Sequence, residues 1–311
     1  MTGILCTSYY LLQDEPSTLE GLQEYRESPN VSRFTCKTCG SHVLAQVKPS
    51  GRFLVASGVL VAGDIPRVQS VQHWQVKDTD DGGLSTYLPG WPTTDGGCRL
   101  EVLSGQPGST ARSHSQRRMH DPSKSQTQLQ ARCHCGGIEF YITQPDSSST
   151  KAWSPFADLL IPYHTGSGNN PDDVKWWLRN GNTKYLAGTC TCESCRLGCG
   201  FPIQPWAFVP KANIFNADGS LLKFEGKTMR RYNSSPGVYR EFCAVCGANA
   251  FWHCAERPEL IDVSIGLAYG HGALAKDFLE WAPDRVSFAE MAIQTDLVKL
   301  LEDGLKRLSA H

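Results

Sequence analysis

The sequence predicts a mainly β protein, one small module used about one and a half times and closed by a C-terminal α-helix. Three observations carry that expectation. Short runs rich in β-branched and aromatic residues, among them Phe53 to Val61, Gly137 to Thr143, Trp206 to Val209 and Leu260 to Ile265, are separated by turn formers; 29 glycines and 18 prolines in 311 residues suffice to punctuate many short strands. A stretch near the N-terminus recurs in the second half of the chain. Of 13 cysteines, nine fall in tight clusters at 36/39, 133/135, 190/192/195 and 243/246.

The recurrence sets the boundaries. Residues 24–40 lie over 231–247 at a separation of 207 positions, matching Tyr25 with Tyr232, Pro29 with Pro236, Val31 with Val238, Arg33 with Arg240, Cys36 and Cys39 with Cys243 and Cys246, and Gly40 with Gly247. Trp74 meets Trp281 at the same separation. Upstream, Thr2 to Tyr10 resembles Cys199 to Trp206, so the first copy begins where the second has just passed its three-cysteine cluster. Residues 1–92 are therefore read as a front-truncated copy, and Met1 is expected to be an internal methionine of a longer reading frame. Residues 93–130 are read as a Ser/Gln/Arg-rich linker with too few aliphatic side chains to offset the entropy of ordering it. Residues 131–286 form the complete copy and 287–311 the helix, in which Ser287 and Glu290 have capping-box spacing and Leu297, Leu301, Leu305 and Leu308 recur at helical intervals. That helix packs on its own chain or, alternatively, joins the incomplete copy in forming an oligomer.

Composition removes several partner classes. With 30 basic against 31 acidic residues there is no basic field to hold nucleic acid or an acidic membrane. No apolar run approaches the ~20 residues that span a bilayer, and Ile4 to Leu12 lacks the basic flank of a secretory signal. A cytoplasmic protein is expected. An odd cysteine count in a reducing compartment argues against a disulfide framework.

Metal ligation is the alternative. A Cys-x-x-Cys turn can place two thiolates on one ion, and two half-sites complete a tetrahedron. Cys133 and Cys135 with Cys243 and Cys246 are the natural pair for a structural zinc stapling the start of the complete copy to its end, against the alternative of four buried free thiols. Cys190, Cys192 and Cys195 supply three ligands, the count of a reactive zinc with one open position. Cys199, four residues on, is an available fourth ligand that would close it. Two zinc ions per chain are expected. A three-thiolate zinc carries net negative charge, so a nearby cation would help it accept a further thiol; Arg196 is the candidate. Arg240 is read as a structural salt-bridge partner because Arg33 occupies the same place in a copy without the reactive cluster, and His134 as a loop-shaping residue.

The segments Cys133-His-Cys-Gly-Gly-Ile-Glu-Phe140, Cys190-Thr-Cys-Glu-Ser-Cys-Arg196, Ser234-Ser-Pro-Gly237, Arg240 and Phe242-Cys-Ala-Val-Cys-Gly247 resemble the glutathione-dependent formaldehyde-activating family, which includes the centromere protein V type domains. The resemblance runs from about Arg132 to Trp281; the first copy resembles only the rear half. It implies a β-tent zinc fold and carbon–sulfur lyase chemistry, the prototype joining formaldehyde and glutathione into S-hydroxymethylglutathione. It also implies that Cys133, Cys135, Cys243 and Cys246 hold a structural zinc and that Cys190, Cys192 and Cys195 hold the catalytic one, with glutathione as co-substrate. The competing expectation is a non-catalytic zinc module for protein interaction, its metal site closed by Cys199. Three departures from the family pattern stand out: a long spacing from Cys135 to Cys190, Cys199 as a potential fourth ligand where the first copy has Thr2, and a first copy without a Cys-x-Cys or three-cysteine cluster. The extra segment with Trp176 and Trp177 is read as a lid or substrate wall, or as plain surface elaboration. Cys36 and Cys39 are left as half a site, with no recognisable spacing to Cys6, Cys98, His42 or His73, so the first copy is expected to bind no catalytic metal.

Overall fold

The computed structural model describes residues 7–61, 72–74, 81–88, 91–92, 98–99, 101–103, 127–156, 164–283 and 286–309. In the N-terminal unit, β1 (Tyr9–Leu11), β2 (Leu22–Ser28), β3 (Val31–Cys36), β4 (His42–Val47) and β5 (Phe53–Ala56) form an antiparallel sheet in the order β1-β5-β4-β3-β2. Alternating residues bury Phe34, Leu44 and Phe53 together, as half-buried strands require.

The C-terminal unit contains β6 (Gln128–Arg132), β7 (Glu139–Thr143), β8 (Leu178–Arg179), β9 (Lys184–Cys190), β10 (Gln204–Pro210), β11 (Ile214–Asn216), β12 (Met229–Ser235), β13 (Val238–Cys243), β14 (Asn249–Cys254), β15 (Arg257–Ser264), β16 (Ala268–Tyr269) and β17 (Leu279–Trp281). One sheet runs β11-β7-β6-β16; the larger runs β8-β9-β10-β15-β14-β13-β12, with β17 parallel to β9. Their facing sides form the main core around Leu129, Phe140, Ile142, Tyr185 and Phe251. Residues 104–126, most of the expected linker, lie outside the described residues, as do Thr2 to Cys6 of the upstream match. Gln128 to Gln130, assigned to the linker, already pair with Tyr141 to Thr143 because Leu129 is a fully buried core side chain.

Two local expectations are corrected. Trp176 and Trp177 are 2% and 0% exposed and belong to the core, not to a lid; the indole of Trp177 donates to the Ser149 carbonyl at 3.0 Å. The C-terminal helix is Thr295–Ser309 rather than starting at Ser287. Ser287 cannot cap a helix there because its backbone pairs with Thr189 and Thr191 at the end of β9. Leu297, Leu301 and Leu305 bury against Leu84 and Tyr87 of the turn Gly83–Tyr87, and a Cβ on Gly304 would lie 1.7 Å from the Tyr87 carbonyl oxygen.

The strands of the two units correspond closely. β2, β3 and β4 have the same limits, shifted by 207 positions, as β12, β13 and β14, and the ladder irregularities at Arg26/Ser28 and Phe34/Thr35 recur at Asn233/Ser235 and Glu241/Phe242. The units also touch reciprocally. A Cβ on Gly40 would lie 2.3 Å from the Phe242 ring, and one on Gly247 would lie 2.2 Å from Thr35; each glycine meets the residue that corresponds to the other's neighbour. Gly58 N–H donates to the Gly200 carbonyl at 2.9 Å, and Gly200, at φ 83°, leaves no room for a side chain against the His42 carbonyl.

His42 is 2% exposed beside Phe201, and burial, helped by Arg33, pushes its imidazole down to about 3. An imidazole depressed below its unfolded value of about 6.5 stabilises the fold fully above that pH. The contribution is lost as pH falls from 6.5 toward 3, at about 1.4 kcal/mol per unit. Urea midpoints measured across that window should therefore fall more steeply for the wild type than for His42→Phe; parallel slopes would remove His42 as the source.

Candidate functional site

The four-sulfur cluster joins the two sheets of the C-terminal unit. The sulfurs of Cys133, Cys135, Cys243 and Cys246 all lie within 4.8 Å of one another. Cys133 and Cys135 leave the end of β6 in a turn closed by Gly136 N–H on the Cys133 carbonyl, and Cys243 ends β13 in a turn closed the same way by Gly247. Both glycines have positive φ, 74° and 70°, where a side chain would be strained. Cys135 lies 3.5 Å from both Cys133 and Cys243, close to the ~3.8 Å between sulfurs of a tetrahedral ion with 2.3 Å metal–sulfur bonds. The donor set thus fits a soft divalent ion such as zinc. Without a cation these thiols compete for protons: burial pushes Cys135 up to about 12, while hydrogen bonds from Cys133 and Cys246 hold Cys243 far down. Tyr25 of the N-terminal unit closes over this loop, its hydroxyl 2.6 Å from His134 Nδ1, so His134 serves the contact between units.

The three-sulfur cluster sits at a strand-to-helix corner. Cys190 is the last residue of β9, and Cys192 caps α1 (Glu193–Cys199), its sulfur accepting from the Cys195 N–H at 3.4 Å. All three sulfurs lie within 4.8 Å of one another; Cys190 and Cys195 are buried, and Cys192 forms the accessible edge. Trp206 packs against them, with Phe208, Trp252 and Phe288 around, and its indole N–H donates to Cys195 at 3.4 Å. Phe288 takes a left-handed backbone at φ 57°, its carbonyl held by the Thr191 hydroxyl at 2.8 Å.

The cation at this cluster is Arg240. Its guanidinium, 2% exposed, donates from Nη2 to Ser194 Oγ at 2.9 Å and to Cys195 at 3.6 Å. Gly198 leaves it space, since a Cβ there would come within 3.0 Å of Arg240 Nε. Hydrogen bonds from Cys190 and Cys192, and then the charge of Arg240, hold the Cys195 thiol well below the ordinary range against its burial. The same contacts with Cys192 and Cys195, together with burial, push Cys190 up. The salt-bridge role expected of Arg240 belongs to Arg33 alone, which pairs with Glu27 at 2.8 Å.

Arg196 does not serve the cluster. It is 5% exposed and donates to the carbonyls of Gly58 at 2.5 Å and Leu60 at 2.9 Å, tying α1 to the N-terminal unit. Its charged partner is Glu193 at 3.7 Å. Cys199 is likewise set apart. It sits at the far end of α1, one turn and about 6 Å along the axis from Cys195, packed with Ala56 and Phe201 and bonded to the Phe201 backbone at 3.2 and 3.3 Å. Trp206, Trp252 and Phe288 carry no motif that marks them; Ser194 is legible only as part of the three-cysteine motif, and Arg240 only through its place before Cys243.

A mainly antiparallel β unit whose cysteines gather into a four-sulfur and a three-sulfur cluster defines a cysteine-cluster β protein. Residues 174–286, just over a third of the chain, match the model of the glutathione-dependent formaldehyde-activating enzyme family, and the C-terminal unit is similar to that family over those residues. The match includes the three-sulfur cluster with Cys243 and Cys246; Cys133 and Cys135 precede it. A solved structure of a Rhodobacter sphaeroides protein is 17% identical over 49% of this chain and 99% of that one, with a TM-score of 0.27. No curated protein matches the chain significantly. Among the described residues, no helix is long and apolar enough to cross a membrane.

Proposed function

We propose that the C-terminal unit is a zinc-dependent carbon–sulfur lyase that makes or breaks the C–S bond in an adduct of glutathione or a related thiol. The observation that carries this reading is a cluster of three sulfurs rather than four, part-exposed along one edge at Cys192 and backed by a buried guanidinium. Cys190, Cys192 and Cys195 would hold one zinc, and Cys133, Cys135, Cys243 and Cys246 a second, structural one. When bound at the three-sulfur cluster, zinc supplies an open Lewis-acid position that lowers the pKa of an added thiol.

The chain's own residues then divide the remaining work. Arg240 offsets the negative charge of the clustered thiolates through Cys195, and the indole N–H of Trp206 supports the same sulfur. Phe208, Trp252 and Phe288 keep water from the apolar side of the cluster. In the joining direction, the thiol sulfur bonds to the aldehyde carbon, the carbonyl pair moves to oxygen, and the thiol proton ends on that oxygen. The protein is placed in the cytoplasm, with small thiol adducts as its partners, and the N-terminal unit is read as a shortened duplicate that braces α1 through Gly58 and Leu60.

The test is exchange between formaldehyde plus glutathione and their adduct, followed by NMR. Zinc-loaded protein should speed equilibration, and Arg240→Gln should lose about tenfold or more while keeping both metals. No acceleration by the wild type overturns the proposal.

A further inference from the structure

A cleft of about 320 Å³ opens where the two units meet, lined by Gln23, Cys36 and Lys37 from one and by Arg230, Arg231 and Phe242 from the other. The lyase reading leaves it without a role. Cys36 borders it, and both Cys36 and Cys39 are part-exposed. Their turn is built like that of Cys243 and Cys246, with Gly40 N–H on the Cys36 carbonyl. The C-terminal pair, however, is locked among Cys133 and Cys135, whereas no third ligating side chain among the described residues joins Cys36 and Cys39.

The two thiols bond to each other but are not equivalent. Burial raises Cys36, yet the N–H groups of Cys39 and Thr38 and the side chains of the same residues outweigh it, leaving Cys36 below the ordinary thiol value. Burial pushes Cys39 up. A more acidic, part-exposed sulfur beside a less acidic one is the arrangement of an attacking and a resolving thiol. Arg231 is tied to Glu241 at 2.7 Å, so Lys37 and Arg230 carry most of the positive charge offered to a ligand.

We propose that Cys36 and Cys39 form a thiol–disulfide exchange site for a small anionic disulfide, of which glutathione disulfide is the test case. The Cys36 thiolate attacks one sulfur of the disulfide, forming a protein–glutathione mixed disulfide and releasing one glutathione thiolate. The Cys39 thiolate then attacks Cys36, the intramolecular disulfide forms, and the second glutathione leaves. The protein dithiol loses two electrons and two protons; one disulfide is reduced to two thiols. Neither cysteine belongs to the two metal clusters, so this site stands apart from the lyase reading.

Full-length, zinc-loaded protein is incubated in glutathione/glutathione disulfide buffers, alkylated and mapped by mass spectrometry. A Cys36–Cys39 disulfide is expected with the zinc content unchanged, and Cys39→Ser should trap glutathione on Cys36. Lys37→Glu combined with Arg230→Glu should slow oxidation by glutathione disulfide about tenfold while leaving oxidation by the uncharged hydroxyethyl disulfide unaltered. The proposal is overturned if both thiols stay reduced under an ion that they hold, if Cys36→Ser captures glutathione on Cys39 as readily, or if charge reversal slows neither or both reagents.

Discussion

Cys243→Ala is expected to unfold the C-terminal unit. Cys243 is fully buried where β13 ends and shares its cluster with Cys133 and Cys135 at the end of β6, so an ion held there ties the larger sheet to the smaller one. A structural zinc contributes on the order of 10 kcal/mol or more to folds of this kind, comparable with the whole ~5–15 kcal/mol stability of a domain. Loss of one ligand leaves buried thiols without a balancing cation. Circular dichroism of Cys243→Ala should show no cooperative melt from 25 °C upward, with both zinc ions lost. A melt like that of the wild type would contradict the stapling role.

Cys195→Ser should have the opposite profile: a folded protein that does not act on thiol adducts. Cys195 lies at the hub of the second cluster, touched by Cys192, Trp206 and Arg240, and it is buried by aromatic packing rather than by the junction of the sheets. The first cluster is untouched, so melting should shift by only a few degrees. Activity should fall by about two orders of magnitude or more, because the substitution removes a ligand and the partner of the buried guanidinium together. Residual activity within tenfold of the wild type would place the chemistry elsewhere.

Much of this was legible in the chain, and the reasons differ by feature. The cysteine clusters could be read because Cys-x-Cys and Cys-x-x-Cys turns are local: spacing brings together the sulfurs within each motif, while the meeting of Cys133 and Cys135 with Cys243 and Cys246, over a hundred positions on, follows from two half-sites completing one tetrahedron. The strands of the N-terminal meander follow from its likeness to residues 231–247, reproduced down to the ladder irregularities. What failed was long-range direction. Arg196 and Cys199 both sit on α1, and sequence distance placed them beside the cluster. Which way they face depends on the N-terminal unit, whose Gly58 and Leu60 carbonyls claim Arg196 and whose Ala56 packs on Cys199. Arg240 departs from its expected role for a related reason. Corresponding positions in two units imply the same role only if the surroundings correspond, and Arg33 faces Glu27 where Arg240 faces Cys195. Trp176 and Trp177 read as a lid because they lie in an extra segment, yet apolar side chains of that size gain most by filling the core.

Zinc K-edge absorption on the fully loaded protein, before and after glutathione, tests the central claim most directly. An open three-sulfur site predicts that glutathione adds one sulfur to the shell of one of the two zinc ions, in the wild type and in Cys199→Ala alike, and that Cys195→Ser abolishes the addition. Four sulfurs around both ions before glutathione is added, with one of them lost in Cys199→Ala, would contradict it.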